Sequence, residues 1–231
     1  MNKIAEKKGE SVNKLLENLW QEKIEIITSE NLKEISKKFY YNYETIINYL
    51  IKKEQILKIF DNIYYVKSPN EVRSRDFKLK YNPLELLSKG LEFKNNTKWY
   101  FGLHTALRHH GISITENKDD YLLSENSLFK TKKINLLGKN ITSLIFKSNL
   151  FQFGIIKNDI RYSDLEKTFL DFIYLWKYKN IPNHKIISKL EKYHNILSQE
   201  IINEYAIYYP SNVIKLIEEF FNVNNKVKKR Y

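Results

Sequence analysis

Residues 42–66 confine the fold most tightly. Asn42 precedes a stretch in which Ile46, Ile47, Leu50 and Ile51 recur along one stripe, which predicts an asparagine-capped helix burying that stripe. "ILKIFDNIYYV" (56–66) follows, with two β-prone runs flanking Asp61-Asn62. Those two side chains tolerate left-handed backbone, so the run predicts a tight hairpin. Upstream, Val12, Leu15, Leu16, Leu19 and Trp20 keep helical spacing, "IEII" (24–27) suits a short strand, and Thr28 and Ser29 can cap a second helix with Leu32 and Ile35 inward, ending near Phe39. Helix, strand, helix, turn, helix and hairpin, in that order, is the layout of a winged helix-turn-helix, expected over residues 1–67.

"KSPNEVRSRDFKLKYNP" (67–83) lacks apolar periodicity and holds two prolines, so residues 68–82 read as a linker. Asn82-Pro83 starts a helix by the cap-then-proline rule, with Leu84, Leu87 and Leu91 on one side. "KWYF" leads into a helix from Thr105 to His110 that Gly111 can end. Strand-like runs "YLL", "KINLLG", "ITSLIF" and "FQFGII" between 121 and 162 predict a small, mainly antiparallel sheet packed on helices. Ser163-Asp164-Leu165-Glu166 reads as a capping box, in which Ser163 caps a mostly apolar helix running to Trp176. Beyond Pro182 the pattern is helical to Phe221, broken near His194 and Pro210. The expected fold is therefore α+β: the N-terminal winged helix, a mixed domain over 83–180, and a helical extension with a basic tail over 181–231.

The formal charge of +12 suits a polyanionic partner. The chain is also rich in Lys, Ile and Asn with only five Arg, a bias expected of AT-rich codons, so charge alone is a weak pointer. With no cysteine there is no disulfide framework and no thiolate metal site. "MNKIAEKKGE" lacks the apolar segment of a secretory signal and no apolar run is long enough for a membrane span, so the expectation is a cytoplasmic protein.

Enzyme signatures are missing as patterns. The six glycines form no phosphate loop, no serine sits in a nucleophile elbow, and Asp119-Asp120 lacks the upstream Gly-Ser of nucleotidyltransferases. The nearest nuclease-like set, Asp159, Asp164 and Glu166-Lys167, falls at a helix start. "HTALRHHGIS" places His104, His109 and His110 at spacings of five, six and one, where metal ligands on one helix face need three or four. These histidines read as packing residues, and neither a catalytic residue, a metal nor a cofactor is expected.

The motifs "HTALRHHGIS", "YLLSE", "FKTKKI", "FQFGI" and "DLEKTFLDFIYL" are similar in order and spacing to AbiEi-type antitoxins, and residues 32–66 resemble the winged helix that precedes them in that family. The resemblance covers roughly residues 10 to 180. Asn62 stands where the wing glycine is usual, and Tyr64 matches the wing tyrosine. The resemblance implies a transcriptional regulator that represses its own operon and acts as antitoxin of a type IV toxin–antitoxin or phage-defence pair, with a nucleotidyltransferase toxin as partner. The matching His110, Glu166, Lys167 and Asp171 read as packing and capping residues.

On the third helix, with the isoleucine-leucine stripe turned inward, Thr45, Asn48, Tyr49 and Lys52 share the opposite face at about 100° per residue. In a helix-turn-helix that face enters the major groove, where Asn48 can read adenine and Lys52 can reach guanine or phosphate. Tyr41 and Asn42 stand at the helix mouth, where free N–H groups favour a phosphate. The wing adds Lys58 and Lys67, and the linker Arg73 and Arg75. The expected partner is double-stranded DNA of the chain's own promoter. A winged-helix protein-interaction module without DNA function remains the alternative, a defence-system nuclease a more distant one, and monomer and dimer are both open.

Overall fold

The computed structural model describes residues 2–38, 42–74, 76, 78–93, 97–112 and 118–228, with side chains described from residue 12 to 222 within those ranges. The fold is α+β, with a small antiparallel sheet and a larger mixed one. The chain divides into two compact units, Met1–Asn95 and Asn96–Tyr231.

The first unit runs α1 (Asn2–Gln21), β1 (Ile26–Thr28), α2 (Ser29–Lys38), α3 (Tyr43–Lys52), β2 (Ile56–Phe60), β3 (Ile63–Val66), α4 (Pro69–Arg73) and α5 (Pro83–Glu92). Its sheet has the order β1-β3-β2, antiparallel throughout. The hairpin turns at Asp61-Asn62, and Asp61 takes the left-handed backbone (φ 42°) that the sequence anticipates. Leu15, Leu16, Leu19, Leu32, Ile46, Leu50 and Ile56 meet in one core. Each such aliphatic side chain taken out of water stabilises the unit by about 1.5–3 kcal/mol.

Three expectations for this unit need correction. Ile51 is 41% exposed, because it lies at the margin of the α3 stripe rather than within it. Residues 68–82 are not a plain linker. Ser68 and Glu71 form a capping box on α4, and the Glu71 carboxylate also accepts from the Tyr65 hydroxyl (2.8 Å) and the Lys80 N–H (2.7 Å), tying the segment back to β3. The boundary expected at 83 also moves. Helix α5, capped by Asn82 as read, packs on β2 and β3. A Cβ built on Gly90 would stand 2.9 Å from the Phe60 ring, so only glycine permits that approach. The first unit therefore includes α5.

The second unit has β4 (Trp99–Phe101), α6 (Leu103–His109), β5 (Asp120–Ser124), β6 (Lys133–Leu136), β7 (Lys139–Ile145), β8 (Ile155–Lys157), β9 (Arg161–Ser163), α7 (Leu165–Tyr178), α8 (Asn183–Leu190), α9 (Gln199–Ala206) and α10 (Ser211–Lys228). Its six strands lie in the order β6-β7-β5-β4-β9-β8. The expected mainly antiparallel sheet is instead mixed, since β4–β9 and β5–β7 are parallel. "WYF" is itself a strand here, and it leads through Gly102 into α6. Helix α7 is the spine: Phe169, Leu170, Phe172 and Ile173 are buried with residues of α6, α8, α9 and α10. Helices α8 to α10 share that core, so the segment from 181 is part of the unit rather than an extension of it.

Helix α6 ends as expected. Gly111 (φ 74°) donates to the Arg108 carbonyl and Ile112 to the Leu107 carbonyl, a pair of bonds closing the last turn. Helix α7 begins differently. Asp164, not Ser163, is the cap, accepting from the Lys167 N–H at 2.7 Å, while Glu166 accepts from the Ser198 N–H at 2.9 Å. The aspartate is one residue closer to the first free N–H groups, which leaves Ser163 to hydrogen-bond Thr168.

Candidate nucleic-acid interface

Helix α3 positions most of the residues singled out by the sequence. Asn42 caps it, its Oδ1 accepting from the Thr45 N–H at 3.2 Å. That oxygen is therefore committed to the helix, and only the Asn42 amide group remains to meet a phosphate. With Ile46, Ile47 and Leu50 buried, Thr45, Asn48 and Lys52 lie exposed on the opposite face, flanked by exposed Glu44. Tyr49, expected on that face, is half-buried. Its ring leans onto the core of the first unit, with the Lys53 ammonium 5.9 Å from the ring centre.

The remaining candidates are spread over the hairpin and α4. Lys58 is exposed on β2. Lys67 is half-buried at the base of the hairpin, where its N–H donates to the Gln55 carbonyl (3.0 Å) and its carbonyl accepts the Trp20 indole N–H (2.8 Å). Gln55 is three residues from Lys58, about 10 Å along a strand, so the two lysines sit at different heights of the hairpin. Arg73 is exposed at the end of α4. Tyr41 and Arg75 lie outside the described residues. Sequence reasoning missed Lys37 and Lys38, both exposed in the last turn of α2 just ahead of α3. The Lys-Lys pair at a helix end, before the helix carrying the polar face, was the available signal.

The carboxylates bracing this unit are held ionised. Burial acts to raise Glu71, yet the N–H groups of Lys80 and Ser68 and the hydroxyls of Ser68 and Tyr65 bring it below its ordinary value. Glu25 is likewise raised by burial but lowered further by Lys80, Tyr81 and Lys89, and ends below its ordinary value.

In the second unit the three histidines pack on rings. His109 stacks on Tyr162 with ring centres 5.1 Å apart, and His104 meets Phe172 edge-on at 4.9 Å. The His110 Nε2 lies 2.9 Å from the Ser163 carbonyl. Among the described residues no three His, Asp or Glu side chains converge as metal ligands. Asp119 and Asp120 part company: Asp119 pairs with Lys133 at 3.3 Å, and buried Asp120 pairs with Arg108.

Sequence reading also missed a buried polar network on α7. Lys167 and Asp171 are fully buried one turn apart, with the ammonium 3.5 Å from Asp171 Oδ1 and 4.5 Å from the Phe153 ring centre. Asp171 accepts from the hydroxyls of Tyr209 (2.7 Å) and Tyr100 (2.8 Å). Burial pushes the Asp171 carboxyl up, against the pull of Lys167 and the two hydroxyls, and pushes the Lys167 ammonium down. The ammonium also reaches the Tyr209 hydroxyl at 3.4 Å, and no side-chain nitrogen or oxygen of this set lacks a hydrogen-bond partner, so the network is self-contained.

No protein-family model matches the chain, and no curated protein matches it. Among solved structures, the crystal structure of the RV2827C protein from Mycobacterium tuberculosis is similar, with a TM-score of 0.57 at 10% identity, over 92% of this chain and 76% of that one. At that identity the likeness is one of fold. No described helix is long and apolar enough to cross a membrane.

Proposed function

We propose that the first unit is a winged helix-turn-helix, and that the chain is a DNA-binding transcriptional autorepressor serving as antitoxin of a type IV toxin–antitoxin or phage-defence pair. The observation that carries the DNA reading is the α3 face: Thr45, Asn48 and Lys52 stand exposed on a helix whose other side is fixed in the core. A rigid base of that kind presents hydrogen-bonding groups at constant spacing, as base-edge readout requires. Lys37, Lys38, Lys58 and Arg73 supply exposed cations for phosphates on neighbouring elements. Tyr49 supports the helix from its flank instead of reading bases.

The antitoxin role rests on the likeness of "HTALRHHGIS" and "DLEKTFLDFIYL" to AbiEi-type antitoxins, and with it comes a nucleotidyltransferase toxin as partner. Fluorescence anisotropy of a duplex from upstream of the chain's own gene tests the DNA role. Affinity is expected to fall with salt at a log–log slope of about −0.9 for each phosphate neutralised. Co-expression with a nucleotidyltransferase encoded beside the gene tests the antitoxin role: rescue of growth supports it, and unrelieved toxicity contradicts it.

A further inference from the structure

A groove of about 500 Å³ opens in the second unit between the segment leading from β5 into β6, the far end of β7 and the last turn of α7. Leu144, Phe146 and Leu175 give it an apolar floor. Tyr178, 81% exposed, stands at its rim with one of the most solvent-open rings in the unit. Lys130 and Lys132 line the other side, and none of the residues lining the groove is acidic. The two lysines stand in the bend that leads into β6, and both line the groove. Both are exposed, and neither ammonium makes an ion pair among the described residues.

The charge around the groove is one-sided in the sequence as well. From Asn126 to Asn158 the chain carries Lys130, Lys132, Lys133, Lys139, Lys147 and Lys157 and no Asp or Glu, half of a net charge of +12. Lysines along an edge strand guard against strand pairing, and Lys133 and Lys139 on the β6–β7 hairpin serve that end. Lys130 and Lys132 precede the strand, so edge protection does not account for them. The hydroxyls of Ser127 and Thr131 donate to the carbonyls of Phe129 and Lys133, which leaves the two ammonium groups as the groove's charged donors. A ligand fitted to these walls is anionic at one end and flat and apolar at the other. The volume falls in the range of small-ligand sites, about 300–1,000 Å³.

We infer that this groove binds a nucleotide, its phosphates on Lys130 and Lys132 and its base against the Tyr178 ring. Ammonium–phosphate contacts supply the charge recognition, and ring stacking accepts any base, so the site selects the class of ligand more than the base. The ligand comes either as a free nucleotide or as the phosphorylated end of a single strand. The inference is independent of the α3 face, and Asn48→Ala leaves it untouched.

Isothermal titration of the full chain with ATP, AMP, a 5′-phosphorylated oligoadenylate and inorganic tripolyphosphate tests it. One ATP is expected per chain, weakened about tenfold or more in Lys130→Ala/Lys132→Ala. Tyr178→Ala is expected to weaken ATP at least about fivefold and to leave tripolyphosphate unchanged. Both variants change exposed side chains, so their melting temperatures should match the parent and separate lost binding from lost folding. Tighter binding of ATP than of the oligonucleotide identifies a free nucleotide, and the reverse identifies a strand end. The inference is overturned if no nucleotide binds at millimolar concentration, or if the lysine double variant binds ATP as the parent does. It is equally overturned if tripolyphosphate binds better than ATP.

Discussion

Helices α3 and α7 begin alike and end as opposites. Each is capped by the side-chain oxygen of an Asx residue, Asn42 for α3 and Asp164 for α7. Helix α3 keeps its aliphatic stripe inside and its polar groups in water. Helix α7 is apolar nearly all round and takes Lys167 and Asp171 into the core with it. Groups already in water on α3 add little to folding and stay available to a partner. Among the described residues, the hydrogen bonds and ion pair of the buried α7 charges run to Tyr100, Tyr209 and each other, so they tie one arrangement of strand, helix and C-terminal segment together. Polar residues thus stay in water on one helix and are locked into the core on the other.

The sharpest way to break that contrast is Asp171→Ala. It leaves a buried ammonium and two buried hydroxyls without their acceptor, and should cost about 3–5 kcal/mol. In a chain of this size, thermal unfolding should then begin about 10 °C lower. A loss below about 1 kcal/mol would mean that water reaches the network and that it is not self-contained.

Acid should separate the two units in sign. Glu71 lies below its ordinary value of 4.5, so its contribution is present above that value and lost as pH falls through the folded value. Glu71→Gln should therefore be less stable than the parent at about pH 7, with the gap closing only as pH falls below 4.5. Asp164 lies above its ordinary value of 3.8, raised chiefly by burial, so its ionisation opposes folding at neutral pH and this penalty fades on acidification. Asp164→Asn should compare best with the parent at neutral pH and less well in acid. Melting curves of both variants across that range check the two directions, and parallel trends would contradict them.

Smaller still is the cap of α3. Asn42→Ala should cost about 1 kcal/mol, read by thermal unfolding, since one first-turn N–H loses its acceptor. A drop much larger than this would place Asn42 in contacts beyond the cap.

Local chemistry was legible in the sequence. The Asn42 cap, the Ile46, Ile47 and Leu50 stripe, the Asp61-Asn62 turn and the Asn82-Pro83 start each depend on neighbours a few residues away. What escaped depends on distant partners. Strands β4 and β9 are three residues each and gain their pairing from β5, from β8 and from each other, so no period announces them. Glu71 reads as one acid in a polar stretch until Tyr65 and Lys80 are brought to it. Lys167 and Asp171 read as packing and capping residues, but nothing local shows that they pair with each other under Tyr100 and Tyr209. Of the candidate interface, the α3 face was legible because periodicity defines it. The tilt of Tyr49 into the core was not, because a position at the stripe's margin can turn either way.

The most direct test of the α3 face compares Asn48→Ala and Asn48→Ala/Lys52→Ala with the parent by fluorescence anisotropy, on the duplex upstream of the gene and on a scrambled duplex. Both positions are exposed, so melting should shift by no more than about 0.5 kcal/mol of stability. On its own duplex Asn48→Ala should bind roughly 5- to 150-fold more weakly, the equivalent of about 1–3 kcal/mol, with little change on the scrambled sequence. A folded parent that binds neither duplex at low salt, or a double variant that binds both as the parent does, would contradict the account.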